Sequence, residues 1–116
     1  MKMVLKDGKL KVLTLSYDDG VVQDIRLVDI MDRYGLKGTF NINTGMYLPE
    51  EVKRERYYGP MKLSEAKKLY INSGNEVAVH TFNHSHLQLL DSSEVIYEIT
   101  QRVQALKKPE GIILKS

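Results

Sequence analysis

The amino-acid sequence predicts an α/β fold in which parallel strands alternate with helices. Short segments rich in strand-forming residues alternate with segments whose apolar residues follow helical spacing. A glycine or a proline follows each helical segment, as expected at helix ends. Two polar clusters follow the first and third strand segments, where ligands bind in parallel sheets. At 116 residues, the chain is expected to form a single domain, residues 1–116.

The N-terminal segment is predicted to form a hairpin that leads into a buried strand. Asp7-Gly8 separates two short apolar segments, which is typical of a β-hairpin turn. Residues 10–15 are predicted to form a buried strand that ends at the Asp-Asp-Gly sequence of residues 18–20. The glycine there allows the backbone to turn sharply after the two carboxylates.

The first helix and the second strand follow directly. Residues 24–34 are predicted to be helical, because four apolar side chains fall on one face. Gly35 is placed to end this helix in a left-handed conformation, and residues 38–42 are rich in strand formers. The residues of the apolar helix face are Leu27, Val28, Met31 and Tyr34.

A long loop separates this strand from the next helix. Residues 43–60 are polar and contain two prolines, which predicts a loop. Residues 64–72 are predicted to form the second helix, which Gly74 ends, and residues 76–80 to form the third strand.

The third helix has a recognisable start. Asp91 and Glu94 are spaced as a capping box, and Pro109 is predicted to end the helix. Residues 111–114 have the composition of a fourth strand. One apolar stripe on this helix is predicted to be core: Ile96, Ile99, Val103 and Leu106.

Composition and charge exclude several classes of protein. A formal net charge of +2 does not indicate a nucleic-acid or membrane partner, and the absence of cysteine excludes disulfides and thiolate metal sites. No segment reaches the ~20 apolar residues of a membrane span, and no signal peptide is recognised at the N-terminus. We expect a cytoplasmic protein, or an extracellular or cell-wall-associated one if a leader has been removed.

The polar clusters indicate a metal site. All three histidines of the chain, His80, His84 and His86, lie within seven residues after the third strand. Two imidazoles and one carboxylate can hold a divalent cation, and a second carboxylate can take a proton from water. Asp18 and Asp19 end the first strand and are expected at the same edge of the sheet. His86 is interpreted as a bystander, since the other groups complete a triad.

Each cluster also has a simpler interpretation. An Asp-Asp-Gly sequence is common in solvated turns, and two histidines four residues apart can be exposed loop residues. A phosphate-handling α/β protein that uses Asp18 is a further alternative, although no glycine-rich phosphate loop supports it. The joint placement of both clusters at strand ends favours the metal site.

Three segments resemble the polysaccharide deacetylases, the NodB-homology proteins of carbohydrate esterase family 4. Residues 14–20, Thr-Leu-Ser-Tyr-Asp-Asp-Gly, are similar to the first motif, Thr-Phe-Asp-Asp-Gly, with Tyr17 in place of the phenylalanine. Residues 76–84 are similar to the second motif, His-Ser/Thr-x-x-His. Residues 38–42, Gly-Thr-Phe-Asn-Ile, are similar to the second strand of the family.

The resemblance implies a metal-dependent hydrolase that removes acetyl groups from a carbohydrate polymer. By this similarity Asp18 is the catalytic base, and Asp19, His80 and His84 hold a divalent metal ion. The metal in the family is most often Zn²⁺, with Co²⁺, Ni²⁺ or Mn²⁺ as alternatives. The implied fold is a (β/α) barrel, and the implied partner is an acetylated carbohydrate.

The resemblance also implies later motifs that this sequence does not contain. These are a motif with an arginine beside the base, a motif with an aspartate, and a Leu-x-His motif with the acid for the leaving group. We therefore expect a C-terminally truncated NodB-like domain, a partial barrel whose unpaired strand edge favours a homo-oligomer. The alternative function is a catalytically inactive metal-binding half-domain that acts as a carbohydrate-binding or assembly module.

Overall fold

The computed structural model describes residues 5–55 and 58–107. Strands and helices alternate within them, which confirms the α/β prediction, and the described residues form a three-stranded sheet rather than a barrel. The elements are β1 (Ser16–Asp19), α1 (Gln23–Arg33), β2 (Thr39–Ile42), α2 (Leu63–Asn72), β3 (Glu76–Val79) and α3 (Ser92–Lys107). None of the helices in this part of the chain combines the length and apolar character needed to cross a membrane.

The sheet is parallel, with β2 between β1 and β3. Its two faces differ because side chains alternate along each strand. Phe40, Ile42 and Val77 are buried on one face. On the other face, Asn41 and Thr39 make side-chain hydrogen bonds to neighbouring strands. The sheet therefore has one apolar face and one polar face.

Helices α1 and α2 cover the apolar face. The buried core contains residues of both helices, of β2 and β3, and of the connecting loops. Aromatic contacts continue across it, with Phe40 between Tyr17 and Tyr70 at ring-centroid distances of 5.5 and 5.3 Å. The core residues are Val22, Val28, Met31, Phe40, Ile42, Met61, Ala66, Tyr70 and Val77.

The predicted end of α1 is confirmed. Gly35 has φ of +65°, its N–H donates to Asp32 O, and the Leu36 N–H donates to Met31 O. These two bonds form a Schellman motif, which the glycine makes possible. Tyr34, which was predicted to belong to the apolar face, is exposed because the chain leaves the helix there.

The prediction of a buried strand at residues 10–15 is wrong. The strand begins at Ser16, and Leu10 and Leu13 are 80% and 81% exposed. A strand needs a hydrogen-bonding neighbour, and the pairing with β2 begins at Thr39, opposite Ser16. In the described part of the chain, no strand lies beside residues 10–14.

The turn at Asp7-Gly8 is present, but the predicted hairpin is not. Asp7 and Gly8 have φ of +63° and +73°, and the Leu5 N–H donates to Lys9 O. Residues 10–12 do not form a strand, and residues 1–4 lie outside the described residues. The local sequence determines the turn, whereas a hairpin also needs a strand before the turn that pairs with a strand after it.

The start of α3 is confirmed, but its predicted core stripe is wrong. The Asp91 N–H donates to Glu94, and the Glu94 N–H donates to Asp91, which is a reciprocal capping box. Ile96 is 60% exposed and Ile99 is also exposed, whereas Glu98 is buried. The side chains of residues 103 and 106 and the segments predicted at 109 and 111–114 lie outside the described part.

Candidate functional site

The first and third strands end at the same edge of the sheet. Asp19, the last residue of β1, is in register with Ile42, and Ile42 is in register with Val79. His80 follows Val79 directly, so parallel pairing brings Asp19 and His80 to the same edge. Residues 81–86 continue from there as a loop between β3 and a short 3-10 turn.

Three of the predicted site residues converge at this edge. Asp19 Oδ1 lies 3.5 Å from His80 Nε2 and 3.2 Å from His84 Nε2. The ligand atoms of all three side chains lie within 4.8 Å of one another. The two imidazole rings approach edge to face, with centroids 5.0 Å apart. This is the arrangement that the sequence motifs predicted.

The donor atoms fit a divalent metal ion. Oxygen and nitrogen ligands at 2.0–2.2 Å from a tetrahedral zinc ion lie about 3.3 Å from one another. The distances from Asp19 Oδ1 to the two imidazole nitrogens bracket this value. The three side chains are 34% to 48% exposed, so a coordination position would be reachable from solvent. His86 does not belong to this cluster.

The backbone at the site is held in uncommon conformations. Positive φ values occur at Asp19 (+77°), Thr81 (+63°) and His84 (+57°). For a β-branched residue such as Thr81, the left-handed region is strained, and such strain concentrates at functional sites. Gly20 also has a positive φ, and a Cβ there would lie 3.2 Å from the Ile42 side chain. The tight turn after Asp19 therefore requires glycine.

Asp18 lies beside the cluster and is held by Asn41. The Asn41 Nδ2 group donates to Asp18 Oδ1 and to Ser16 Oγ, each at 2.9 Å. Asp18 and Asn41 are partners in the pairing of β1 with β2, so their side chains lie on the polar face of the sheet. This contact orients the carboxylate that the sequence predicted to be the base.

The loop after β3 is held from the side of β2. Asn43, which is fully buried, donates from Nδ2 to His80 O and to Thr81 O, the latter at 3.1 Å. The Gly45 N–H donates to Phe82 O at 2.9 Å. A Cβ at Gly45 would lie only 2.7 Å from Phe82 O, so the close approach depends on glycine.

The same loop is held from the other side by Glu98 of α3. Its Oε2 accepts the N–H groups of Phe82 and Asn83, both at 2.9 Å, and its Oε1 accepts from Asn83 Nδ2 at 3.1 Å. Burial raises the pKa of Glu98, but the hydrogen bonds from Asn83, Ser85 and Phe82 outweigh it and leave the pKa below its ordinary value. Glu98 is therefore a carboxylate at neutral pH.

A second buried carboxyl group lies behind the Asp-Asp-Gly turn. Asp24, in the first turn of α1, accepts a hydrogen bond of 2.7 Å from the Tyr70 hydroxyl. Burial raises the pKa of Asp24, more than the hydrogen bonds from Tyr70 and Val21 lower it. The hydroxyl of Tyr70 also lies close to Gly20, and Asp24 therefore links α1, α2 and this turn.

Sequence reasoning missed the residues that position the site. Asn41 and Asn43 stand at the end of an apolar segment and in a polar loop, where asparagine has many roles. Glu98 lies between the two apolar residues that were predicted to be core, so its helix position indicated a solvated face. No local pattern distinguishes these three residues, because their partners are distant in sequence.

Comparisons with known proteins agree with the two motifs. Residues 6–112 match the profile of the polysaccharide deacetylase family. The bifunctional xylanase/deacetylase of Pseudobutyrivibrio xylanivorans is 23% identical over 113 residues, which cover 90% of this chain and 16% of that protein. No solved structure gives a significant match. The family profile covers nearly the whole chain and includes both motifs, and the chain therefore belongs to the polysaccharide deacetylase family.

Proposed function

We propose that the chain carries the metal-binding and base residues of a metal-dependent deacetylase that acts on acetylated carbohydrate. Asp19, His80 and His84 would hold the ion, with Zn²⁺ as the expected metal, and Asp18 would be the base. The observation that carries this proposal is the convergence of Asp19 Oδ1 with two imidazole nitrogens in a member of this family.

The chemistry follows from the two adjacent carboxylates. A divalent cation held by Asp19, His80 and His84 would lower the pKa of water and polarise an acyl oxygen. Asp18 would accept a proton from water as the water oxygen bonds to the acyl carbon. The bond from that carbon to the sugar nitrogen or oxygen would then break, and the leaving atom would keep the electron pair and take up a proton from Asp18 or from solvent. Asn41 donates to one oxygen of Asp18 and so orients the other for proton uptake.

Release of acetate from acetylated chitooligosaccharides and xylooligosaccharides, with added zinc or cobalt, tests this proposal. Asp18→Asn is expected to bind metal but to lose ~10²–10⁴-fold in turnover, which is the usual contribution of a general base. His84→Ala is expected to lose both turnover and metal binding. His86→Ala is the matched control, since His86 lies in the same loop but outside the cluster.

Two results would contradict the proposal. Absence of acetate release at every metal concentration would exclude the deacetylase, and equal metal affinity of His84→Ala and His86→Ala would exclude the site. Acetate release by Asp18→Asn at the unmodified rate would exclude Asp18 as the base.

A second candidate is a metal-binding module without turnover. Two of the three histidines of residues 80–86 belong to the cluster, and this candidate uses them for metal binding alone. This function predicts tight metal binding and binding of carbohydrate without acetate release. Calorimetry with the same oligosaccharides distinguishes it from the enzyme.

We also propose that the chain is one deacetylase-type unit, a section of a (β/α) barrel that associates with another copy. The outer edges of β1 and β3 have no strand partner among the described residues. Unpaired strand edges favour association, because their N–H and C=O groups can pair with another chain.

A further inference from the structure

We propose that Glu98 is a positioning residue that holds the loop of His80 and His84 in the arrangement that binds metal. The inference deepens the proposed function and rests on the metal site proposed there. Glu98 accepts hydrogen bonds from Phe82, Asn83 and Ser85 rather than from the three residues of the cluster. It acts through the backbone between the two histidines, to which it is bound from helix α3.

The hydrogen bonds of Glu98 fall on the segment that joins the two histidines and on Ser85, the residue directly after His84. Its carboxylate accepts the N–H groups of Phe82 and Asn83, which lie between His80 and His84 in the sequence. Both bonds are 2.9 Å, and the side chain is 95% removed from solvent, since Glu98 is 5% exposed. A buried carboxylate accepting two successive amide groups determines the path of that backbone.

The opposite side of the loop has its own anchors, whereas from the helical side the loop is held by the Glu98 carboxylate and by an edge-to-face contact of Tyr97 with the Phe82 ring, at a centroid distance of 6.2 Å. Asn43 donates to the carbonyl oxygens of His80 and Thr81, and the Gly45 N–H donates to Phe82 O. Carbonyl groups are thus held from β2 and its following turn, and amide groups are held from α3. Together they support a loop in which residues 81 and 84 have positive φ.

The strained backbone explains why such support matters for the metal. A residue at positive φ relaxes toward negative φ unless surrounding contacts prevent it. A change of φ at residue 81 or 84 would rotate the following chain and move the His84 ring away from Asp19. Glu98 is therefore expected to contribute to metal affinity, as residues beyond the ligands commonly do.

Titration of the full chain with cobalt(II), followed by visible absorption of the bound ion, tests the proposal. Glu98→Ala is expected to weaken cobalt binding ~10-fold or more, the usual effect of losing support behind metal ligands. Glu98→Gln keeps one oxygen acceptor and is expected to bind with intermediate affinity. Glu51→Gln removes an exposed carboxylate in the loop before α2 and is the matched control.

A measurement without metal separates positioning from the metal site itself. Amide hydrogen exchange at residues 80–84 is expected to accelerate in Glu98→Ala, in solution conditions where circular dichroism shows the variant folded. The proposal is overturned if this exchange matches that of Glu51→Gln, or if all variants bind cobalt with equal affinity. If the unmodified chain binds no cobalt, the proposed metal site is wrong. The hydrogen-exchange rates of residues 80–84 then decide by themselves whether Glu98 positions the loop.

Discussion

At the scale of single residues, the candidate site depends on two asparagines that hold Asp18 and the backbone of the loop after β3 from the neighbouring strand. Asn41 reaches from β2 to Asp18 on β1, and Asn43 reaches from the end of β2 to the backbone after β3. Both contacts exist because parallel pairing places β2 between the two strands that carry the site. The middle strand thus contributes no residue to the Asp-His-His cluster, but its side chain Asn41 and the following Asn43 hold groups of the neighbouring strands in place.

The contact between Asn41 and Asp18 leads to the first prediction. Asn41→Ala removes the donor that orients the carboxylate, and turnover is expected to fall about tenfold, which corresponds to ~1.4 kcal/mol of activation free energy. Cobalt affinity is expected to stay unchanged, because the Asn41 side chain donates to Ser16 and Asp18 rather than to a residue of the cluster. Thr39→Val is the control, since Thr39 lies on the same face and donates to Glu76 instead. Equal acetate-release rates in the two variants would contradict a role for Asn41.

The buried pair of Asp24 and Tyr70 leads to a prediction on pH and stability. The folded-state pKa of Asp24 is raised above its ordinary value of 3.8, mainly by burial. Its stabilising contribution is therefore complete below the unfolded pKa and is lost as pH rises through the folded pKa. Asparagine does not ionise, so the Asp24→Asn variant does not lose this stability as pH rises. The melting temperature of the variant minus that of the unmodified chain is therefore expected to increase from pH near 3.8 to neutral pH.

Tyr70→Phe tests the same pair from the other side. Without the hydroxyl, the Asp24 carboxyl stays buried and loses its donor, which is expected to cost about 1–3 kcal/mol of unfolding free energy. Urea unfolding at neutral pH measures this change. In the double variant with Asp24→Asn, the loss of unfolding free energy caused by Tyr70→Phe is expected to be smaller than in the unmodified chain. If the effects of the two substitutions simply add, the two groups are not coupled.

At the scale of elements, the loop after β3 is the part of the fold on which the site depends most. It is bound by the turn after β2 on one side and by α3 on the other. Among its described side chains, helix α3 exposes Ile96 and Ile99, buries Glu98 and places Tyr97 edge to face with Phe82, so its orientation serves the loop. The helix begins at a capping box that the local sequence specifies.

The close contact between the turn after β2 and this loop gives a prediction at this scale. Gly45→Ala would place a Cβ 2.6 Å from Asn83 Oδ1, so the loop must shift. We expect a loss of about 1–3 kcal/mol in stability, as for other overpacked sites, together with weaker cobalt binding. Gly38→Ala crowds Leu15 O at 3.0 Å at the far end of β2 and is the control. It is expected to lower stability without a change in cobalt affinity.

At the scale of the whole molecule, the described chain has one well-covered sheet face and one polar face. The apolar face packs against α1 and α2, whereas residues of the polar face, including Asp18, Asn41 and Thr39, bond to one another across the strands. The chain spans 16% of the length of the curated relative that it matches. The site residues of both motifs nevertheless lie together within this short chain.

The unpaired edges of the sheet lead to a prediction on assembly. We expect light scattering after size exclusion to give a mass above the 13.3 kDa of one chain, because strand edges favour pairing with a second copy. A monomeric mass at concentrations of the activity assay would contradict the proposed association. It would leave the metal cluster unaffected, since all three of its residues belong to one chain.

Local patterns were sufficient to predict the alternation of strands and helices and the residues that converge at the sheet edge. Three predicted features each depend on residues only a few positions apart. They are the end of α1 at Gly35, the capping box of Asp91 and Glu94, and the residue spacing within each of the two motifs. The convergence of Asp19 with His80 followed from one further rule, that parallel strands end at a common edge. Such features can be inferred from sequence because their physical cause is local or topological.

Other features required knowledge of which distant residues meet. The start of β1 depends on where β2 offers hydrogen bonds, so the apolar composition of residues 10–15 was misleading. The burial of Glu98 depends on amide groups 15 and 16 residues away, and the contact of Asn41 with Asp18 spans 23 residues. The sequence alone thus determined the order of strands and helices and the residue types of the Asp-His-His cluster. The packed chain determined which polar side chains are buried and what they hold, because burial depends on neighbours that no local pattern specifies.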